Sequence, residues 1–475
     1  MAVSPNSDII VGGSSWDASG KAVMAIAALF PDGTPDVNFG PNGDGKITYG
    51  FGIDCPLGVR ALAIYPDGSI VAVGEIVLSA YNNEPIAEII RFTPTGAIDP
   101  TFNGGSPFLL GYWEPSSVVL QVDGKIVVGA TYKGNMGVFR LNGNGTLDTN
   151  FGTGGHILIP GDAANGGGTT SVAFLKNGNI VWAGAYDYWD MQVAECNFEG
   201  MMISNFGGNG SGVAKITVNG NDICHINGIR IDSRNRIITA GSYYAPSIDK
   251  EEFLLCALKS DGTLDNTFAG NGKLGVPITN SCHGNALWVQ PNDQIDVVGF
   301  SDDPMTEKKW VLCRVNKDGT LDGTFGTGGK VTTPFPGSDF NAAYGAFGDR
   351  DGKLVVAGYT LTSFGTARYL TTGTKTAAVE ADSVFGSNAM IPEDAATGLS
   401  LYPNPAHSQL TVRGLDAGGR TIIFVRDAAG KTVANATVNS LSEYTLDIHQ
   451  LAPGTYFLEL RDETKHRTRT FVKVL

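Results

Sequence analysis

Charge is scarce in this sequence: only 17% of its 475 residues are Asp, Glu, Lys or Arg, and the 33 bases are outnumbered by 47 acids, for a net charge of −14. Without a basic footprint the chain is no candidate for nucleic acid, and a bare polyanionic membrane surface is excluded on the same ground. Long apolar runs are missing as well. No stretch reaches the roughly 18 residues that a transmembrane helix needs. Nor is a secretory leader visible, because Met1-Ala2-Val3 runs straight into a repeat. Cysteine is sparse, with six residues (55, 196, 224, 256, 282 and 313) and no C-x-x-C pair. A chain this long buries a large core without disulfides, so most of them are expected to be free, buried thiols. There are only six His, and no G-x-S-x-G, so no nucleophilic triad is written in the sequence. Glycine, in contrast, is abundant at 64 residues without a collagen period, which places the excess in turns.

Those turns recur. A core of the form D-G-x-I-x-V-x-G reads Asp67 to Gly74 in one copy and Asp123 to Gly129 in the next, with later copies ending at Gly184, Gly241, Gly299 and Gly358 and a worn first copy at Gly12. The closing glycines are 62, 55, 55, 57, 58 and 59 residues apart. A second element, G-x-x-D-x-x-F-G-x-x-G, keeps the same beat with Phe39, Phe102, Phe151, Phe206, Phe268 and Phe325. Asp-Gly between two apolar runs is a hairpin signal, because Gly supplies the positive φ of a tight turn. The Ile/Val run after it reads as a strand buried on both faces.

Each unit therefore carries four short strands: a after Phe-Gly, b before Asp-Gly, c after it, and d ending in x-R-x. Seven such units predict an all-β fold, a seven-bladed β-propeller, in preference to a β-solenoid. If strand a opens each unit, the first unit lacks one, and a strand near residues 389–392 is expected to complete the first blade and remove its open edge. The expected domains are a propeller over 1–392, a linker over 393–398 and a C-terminal domain over 399–475. The order D-G-K-I-V-V-G, A-R-x, D-G-T-L-D-x-T-F-G-x-G-G-K, best kept at Asp123 to Gly155 and Asp318 to Lys330, resembles the delta-60 repeat of bacterial surface and secreted proteins. That resemblance implies a propeller and no particular activity.

After Gly373 the composition shifts: Lys375 to Gly398 is rich in Ala and Thr and reads as a closing strand plus linker, and Leu401 follows. Tyr402-Pro403-Asn404-Pro405 breaks any ladder, since proline gives no backbone donor. Six or seven short alternating strands follow, enough for a small immunoglobulin-like β-sandwich. The Y-P-N-P opening, the D-x-x-G-K hairpin holding Gly430 and Lys431, the L-x-P-G-x-Y element holding Gly454 and Tyr456, and the apolar terminal strand are similar to the type IX secretion C-terminal sorting domain of Bacteroidetes-type bacteria. The resemblance implies the type IX machinery as partner and a secreted or outer-membrane surface location. A basic cluster (Arg461, Lys465, His466, Arg467, Arg469, Lys473) reads either as a docking aid or as ordinary solvated charge.

In a repeat protein, a residue present in every unit serves the unit, while one unique to a unit is the better functional suspect. Asp36, Asp99, Asp148, Asp265 and Asp322, with Arg91, Arg140, Arg314 and Arg368, recur and read as scaffold. Cys224-His225 and Cys282-His283 offer zinc-ligand chemistry, but their spacing equals the repeat and duplication explains it. Pro41 to Gly45 is the nearest approach to a Ca²⁺ loop and lacks the full ligand pattern. No cofactor is expected. The unrepeated c–d loops hold Tyr81, Tyr186, Tyr188, Trp189, Asp190, Tyr243, Tyr244 and Trp310, aromatics beside acids that suit glycan or protein contact. The expected function is a non-enzymatic binding or adhesion protein at the cell surface. The alternatives are a polysaccharide hydrolase or lyase with carboxylates at the propeller channel, and a structural surface component.

Overall fold

The turn between strands b and c needs a left-handed residue, and the chain supplies one even where glycine is gone. Gly68, Gly124 and Gly178 have φ of 89°, 83° and 85°; Asn235 and Asp293 hold the same place at 62° and 65°. Asn and Asp tolerate this region better than other side chains. Asp293 also accepts hydrogen bonds from Ser233 N at 2.8 Å and Ser233 Oγ at 2.6 Å.

The computed structural model describes residues 1–17, 21–50, 56–77, 84–161, 168–185, 190–218, 224–245, 249–278, 281–302, 308–333, 341–348, 353–360, 363–369, 382–383, 400–402, 409–413, 420–426, 431–439, 443–452, 454–461 and 466–473. The chain forms two compact units, 1–386 and 387–475. The first is a propeller of seven four-stranded antiparallel sheets, each in chain order. Blade 3 is representative: Trp113–Leu120, Ile126–Tyr132, Asn135–Leu141 and His156–Ile159.

The strand after each Phe-Gly pairs back on the preceding strand d, as in Cys313↔Lys330 and Leu312↔Val331. It is therefore the outer strand of the blade before it, which corrects the reading that it opens the next unit. In this phase the first blade consists of Ala2–Val3, Ile9–Trp16, Ala22–Leu29 and Lys46–Tyr49. The closing strand expected near 389–392 lies outside the described residues. Blade 7 (Asn341–Gly348, Leu354–Thr360, Ser363–Tyr369, Asp382–Ser383) meets blade 1 through side chains, where Val355 and Ala357 pack on Ile9, Val11, Ala27 and Leu29.

Strand c is buried on both faces, as its composition predicts. Ile126 and Val128 pack toward blade 2, while Val127 packs toward blade 4. The repeated Phe residues are pegs between blades, all of them buried. The residue after the peg donates its backbone N–H to the d–a turn of the next blade: Gly40 to Thr95 at 2.9 Å, Asn103 to Asn144 at 2.7 Å, Gly152 to Glu199 at 3.1 Å, Gly207 to Asp261 at 2.8 Å and Ala269 to Asp318 at 2.8 Å.

The recurrent Arg and Asp complete this joint. Arg91 Nε donates to Asp99 at 2.6 Å and Arg140 Nε to Asp148 at 2.8 Å. Arg91 also reaches the Gly143 carbonyl, and Arg140 the Phe198 carbonyl, in the following blade. The guanidinium carbons of Arg140 and Arg314 lie 4.3 and 4.1 Å above the Phe151 and Phe325 rings, a cation–π arrangement. In blade 5 position 257 is Ala, and Arg236, the residue just before strand c, supplies the base instead, bonding Asp232, Asp265 and the Lys317 carbonyl.

One buried acid stands outside this pattern. Glu88, in the third strand of blade 2 (Pro85–Phe92), is 1% exposed, and its Oε1 has no hydrogen-bond partner among the described residues. Burial raises its pKa from 4.5 to about 7. The unfolded carboxyl ionises first as pH rises, so the penalty is absent below about pH 4.5 and complete above about pH 7. We expect Glu88→Gln to stabilise the propeller by about 3 kcal/mol at pH 8.5 and much less at pH 5. Urea midpoints across that range test this; an advantage independent of pH contradicts it.

The second unit is a β-sandwich. Ser400–Tyr402, Gln409–Arg413 and Glu443–Asp447 form one sheet, and Thr432–Asn439, Arg420–Arg426, Gly454–Arg461 and His466–Lys473 form the other. Leu410, Val412 and Leu446 meet Ile423, Val425, Leu458 and Leu460 between them. Tyr456 is buried and its hydroxyl donates to the Ala452 carbonyl at 2.8 Å. This bond ties the L-x-P-G-x-Y turn to the strand it starts, much as a tyrosine corner does in immunoglobulin-like domains.

Candidate functional site in the propeller channel

The innermost strand of each of blades 2 to 7 carries a β-bulge beside the closing glycine of strand c. The extra residues are Arg60, Ser116, Thr170, Asn227, Asn285 and Tyr344. A bulge leaves its extra residue unpaired and re-aims the side chain. Here it also presses the inner strand's backbone onto strand c. A Cβ on Gly184, Gly241 or Gly299 would lie 1.8 Å from the carbonyl oxygen of Gly168, His225 or His283. The repeated glycine is thus a close-approach residue, needed for contact with the bulged strand.

Together these six residues line one cavity of about 410 Å³ at the centre of the propeller, with Glu75 and Glu114 also on its wall. Asn227 Nδ2 donates to the Gly284 carbonyl and Asn285 Nδ2 to the Ala343 carbonyl, each at 2.8 Å, and Ser116 Oγ to the Thr169 carbonyl at 2.7 Å. These bonds run from blade to blade and fix the ring. Among the described residues, one amide N–H and the amide oxygen of each Asn are left for other partners. Tyr344 is 60% exposed. Arg60 lies 3.8 Å from Glu75. Burial, and then the nearby Glu114, raise the Glu75 pKa against the opposing pull of Arg60. Arg230, on the same inner strand as Asn227, is solvent-exposed yet enclosed enough that desolvation lowers its pKa.

The loop-face residues singled out in the sequence fare differently. Tyr81, Tyr186, Tyr188 and Trp189 lie outside the described residues. Asp190 is 3.8 Å from Lys215. Tyr243 donates to Glu252 at 2.9 Å, and Tyr244 to Asp249. Trp310 is fully buried between blades 6 and 7 with Leu312 and Tyr369, which corrects its reading as an exposed aromatic. It is a strand residue in phase with Leu312 rather than part of the preceding loop. Cys224 and Cys282 belong to different inter-blade cores, and His283 Nδ1 pairs with Glu251 Oε2 at 2.8 Å. Cys196, Cys224, Cys256, Cys282 and Cys313 are free and buried; Cys55 lies outside the described residues. Burial pushes the Cys256 and Cys282 thiols up to about 12, so neither is a thiolate near neutrality. Among the described residues no group of three or more His, Cys, Asp or Glu is placed to hold a metal ion. None of their helices is long and apolar enough to cross a membrane.

Of the sorting residues, Tyr402 lies on the first strand of the sandwich and Gly454 on its sixth. Lys431 is exposed, and Tyr456 is part of the sandwich core. Pro403, Asn404, Pro405 and Gly430 lie outside the described residues. So do the Lys465 side chain and those of the basic cluster around it.

A ring of seven homologous blades followed by an independent sandwich defines the class: a repeat β-propeller with an appended C-terminal module. Residues 400–474 are a secretion system C-terminal sorting domain, and residues 5–39, 66–102, 121–151, 290–325 and 350–375 match a β-propeller family described as a domain of unknown function, DUF5122. The chain is thus a β-propeller protein bearing a type IX sorting domain. That domain marks it for export to the cell surface or beyond and for handling by the type IX machinery. The matched propeller segments fall in blades 1, 2, 3, 6 and 7. The unmatched blades 4 and 5 carry Glu195 and Ala257 where Arg140 stands in blade 3, and the matched blade 1 carries Ala28 there.

No curated protein matches the sequence. Among solved structures, the extracellular domain of a hybrid two-component system from B. thetaiotaomicron is similar over 98% of this chain at 11% identity and a TM-score of 0.36; this chain spans about half of that one, 55%. A protein from Lactobacillus plantarum matches over 93% of this chain and 99% of its own at 11% identity and a TM-score of 0.33. The β-propeller domain of the Trilobed protease from Pyrococcus furiosus matches over 86% and 95% at 8% identity and a TM-score of 0.36.

Proposed function

We propose that the exported propeller is a non-enzymatic binding protein that takes a neutral polar ligand, a segment of glycan, into its central channel. The supporting observation is the convergence of six bulge residues, one from each of six blades, on a single cavity. Amide and hydroxyl groups held by inter-blade hydrogen bonds present fixed polar partners, and the exposed Tyr344 ring offers a stacking face. Five residue types occupy the six ring positions, Asn alone occurring twice, a diversity that a site requires and a purely structural ring does not.

A glycan array probed with the full chain tests this. The expected result is a restricted set of bound glycans whose signal falls at least about tenfold in Tyr344→Ala and in the Asn227→Ala/Asn285→Ala double variant. Binding that survives both variants removes the channel from the account.

The raised pKa of Glu75 beside Glu114 and Arg60 favours a second reading, a polysaccharide hydrolase or lyase, because acid–base pairs are built from carboxyls whose pKa values are pushed apart. Under that reading a bound polysaccharide is cleaved, and Glu75→Gln abolishes cleavage while leaving binding in place.

A further inference from the structure

Blade 1 departs from the guanidinium joint of blades 2, 3 and 5 in one respect: it keeps the acceptors and lacks the base. Position 28 corresponds to Arg91, Arg140 and Arg314, because the Asp36 N–H donates to the Ala28 carbonyl at 2.8 Å just as Asp99, Asp148 and Asp322 donate to the carbonyls of those arginines at 2.9 Å. The residue is Ala. The position before strand c, which supplies Lys125 to Asp148 in blade 3 and Arg236 to Asp265 in blade 5, holds Asp8. Two bases are thus replaced by a methyl group and a further acid.

A cavity of about 430 Å³ occupies the space, lined by Asp8, Ala28, Asp36, Phe39, Asp67 and Pro94 among others. Asp8 accepts from Ser4 Oγ at 3.0 Å and Asp36 from the Asn38 N–H at 2.9 Å. Among the described residues neither carboxylate has a basic partner. Burial raises the Asp8 pKa, and the Asp36 charge raises it further against the Ser4 hydrogen bond.

The acids alone would say little. The independent observation is what the equivalent groups hold elsewhere in the same chain. In blades 2, 3 and 5 the counterpart of Asp36 receives a guanidinium N–H at 2.6, 2.8 and 3.0 Å. The counterpart of Phe39 lies under the guanidinium carbon at 5.2, 4.3 and 5.9 Å. The counterpart of the Pro94 carbonyl, that of Gly143, Phe198 or Lys317 in the following blade, accepts a further guanidinium N–H.

We infer that the cavity of blade 1 is a receptor for an arginine side chain of a partner polypeptide, held by Asp36 and Asp8 above the Phe39 ring. A planar fork with five donors suits two carboxylates and a carbonyl in a way that an ammonium does not. The polypeptide source follows from charge. Asp8, Asp36 and Asp67 repel the α-carboxylate of free arginine, whereas a backbone amide carries no such charge.

The test is a titration of the full chain, followed by NMR or calorimetry, with an N-acetylated, C-amidated arginine tripeptide, its lysine counterpart and free arginine. The arginine tripeptide is expected to bind saturably and at least about tenfold more tightly than the other two. Ala28→Arg, which fills the cavity from within as the sister blades do, is expected to abolish that binding and raise the thermal midpoint. Asp36→Asn is expected to weaken binding at least about tenfold and provides the reading if Ala28→Arg does not fold. Absence of saturable binding, equal affinity for the lysine tripeptide, or undiminished affinity in either variant overturns the proposal. Equal affinity for free arginine overturns the polypeptide assignment.

Discussion

Replacing Gly299 by alanine is expected to cost the propeller at least about 4 kcal/mol, a loss otherwise confined to severe core or backbone damage. The added Cβ would lie 1.8 Å from the His283 carbonyl oxygen, 2.8 Å from its carbon and 3.1 Å from the Gly284 Cα. All three are backbone atoms of a strand already committed to its ladder, so no rotamer change relieves them. Overpacking a core by one methylene costs about 1–3 kcal/mol when side chains can give way. Here the bulge at Asn285 must give way instead, and with it the hydrogen bond from Asn285 to the Ala343 carbonyl in blade 7. Gly323→Ala is the control. Gly323 has no atom within 4 Å of the added Cβ and is not in a left-handed conformation. Its substitution is expected to change stability by no more than about 1 kcal/mol, in the stabilising direction. Urea midpoints of both variants decide the matter; similar values would mean that the close approach carries no energetic weight.

That glycine illustrates how much of the fold was legible and where legibility stopped. Its period of 55 to 62 residues, the Asp-Gly turns and the Phe pegs announced seven units, and four-stranded sheets follow from them. Recurrence marked Arg91 with Asp99 and Arg140 with Asp148 as scaffold, and the structure joins both pairs. What recurrence does not convey is phase: the strand after Phe-Gly pairs backward, which only the ladder reveals. Nor does it convey compensation. Arg236 stands at a different position from Arg140, just before strand c instead of on strand d, and serves the same joint.

The channel ring was missed for a related reason. Its six members span five residue types, with only Asn227 and Asn285 alike, so no motif search finds them, yet Arg60, Thr170, Asn227, Asn285 and Tyr344 each precede the strand-c glycine of their blade by 14 residues. The signal was positional. A glycine that recurs inside a strand points to a close backbone approach, and the opposing bulge is where a side chain leaves the ladder. The loop aromatics drew attention instead because unrepeated sequence looks functional. Trp310 shows the limit of that rule, since a residue unique to one blade can be so because it fills that blade's core.

Arg314→Met is expected to cost about 3–5 kcal/mol, and adding Asp296→Leu to restore most of it. Arg314 and Asp296 are each 1% exposed, with Nε donating to Oδ1 at 2.7 Å. Asp296 Oδ2 accepts from Gln290 Nε2 at 2.7 Å, and the guanidinium lies 4.1 Å above Phe325. Burial pushes the Asp296 carboxyl upward, and Arg314 is the largest influence opposing it. Removing the arginine leaves a buried carboxylate with one neutral donor, while removing both charges leaves an apolar joint between packed strands. The pH dependence follows from the same balance. With Arg314 gone, the folded pKa of Asp296 rises further above its unfolded value, so the deficit is full at high pH and shrinks as pH falls through the new pKa. Urea midpoints of the single and double variants at pH 5 and pH 8 test both parts. A double variant no more stable than the single one, or a deficit that grows toward low pH, would show that Arg314 stabilises blade 6 by packing of its stem rather than by charge.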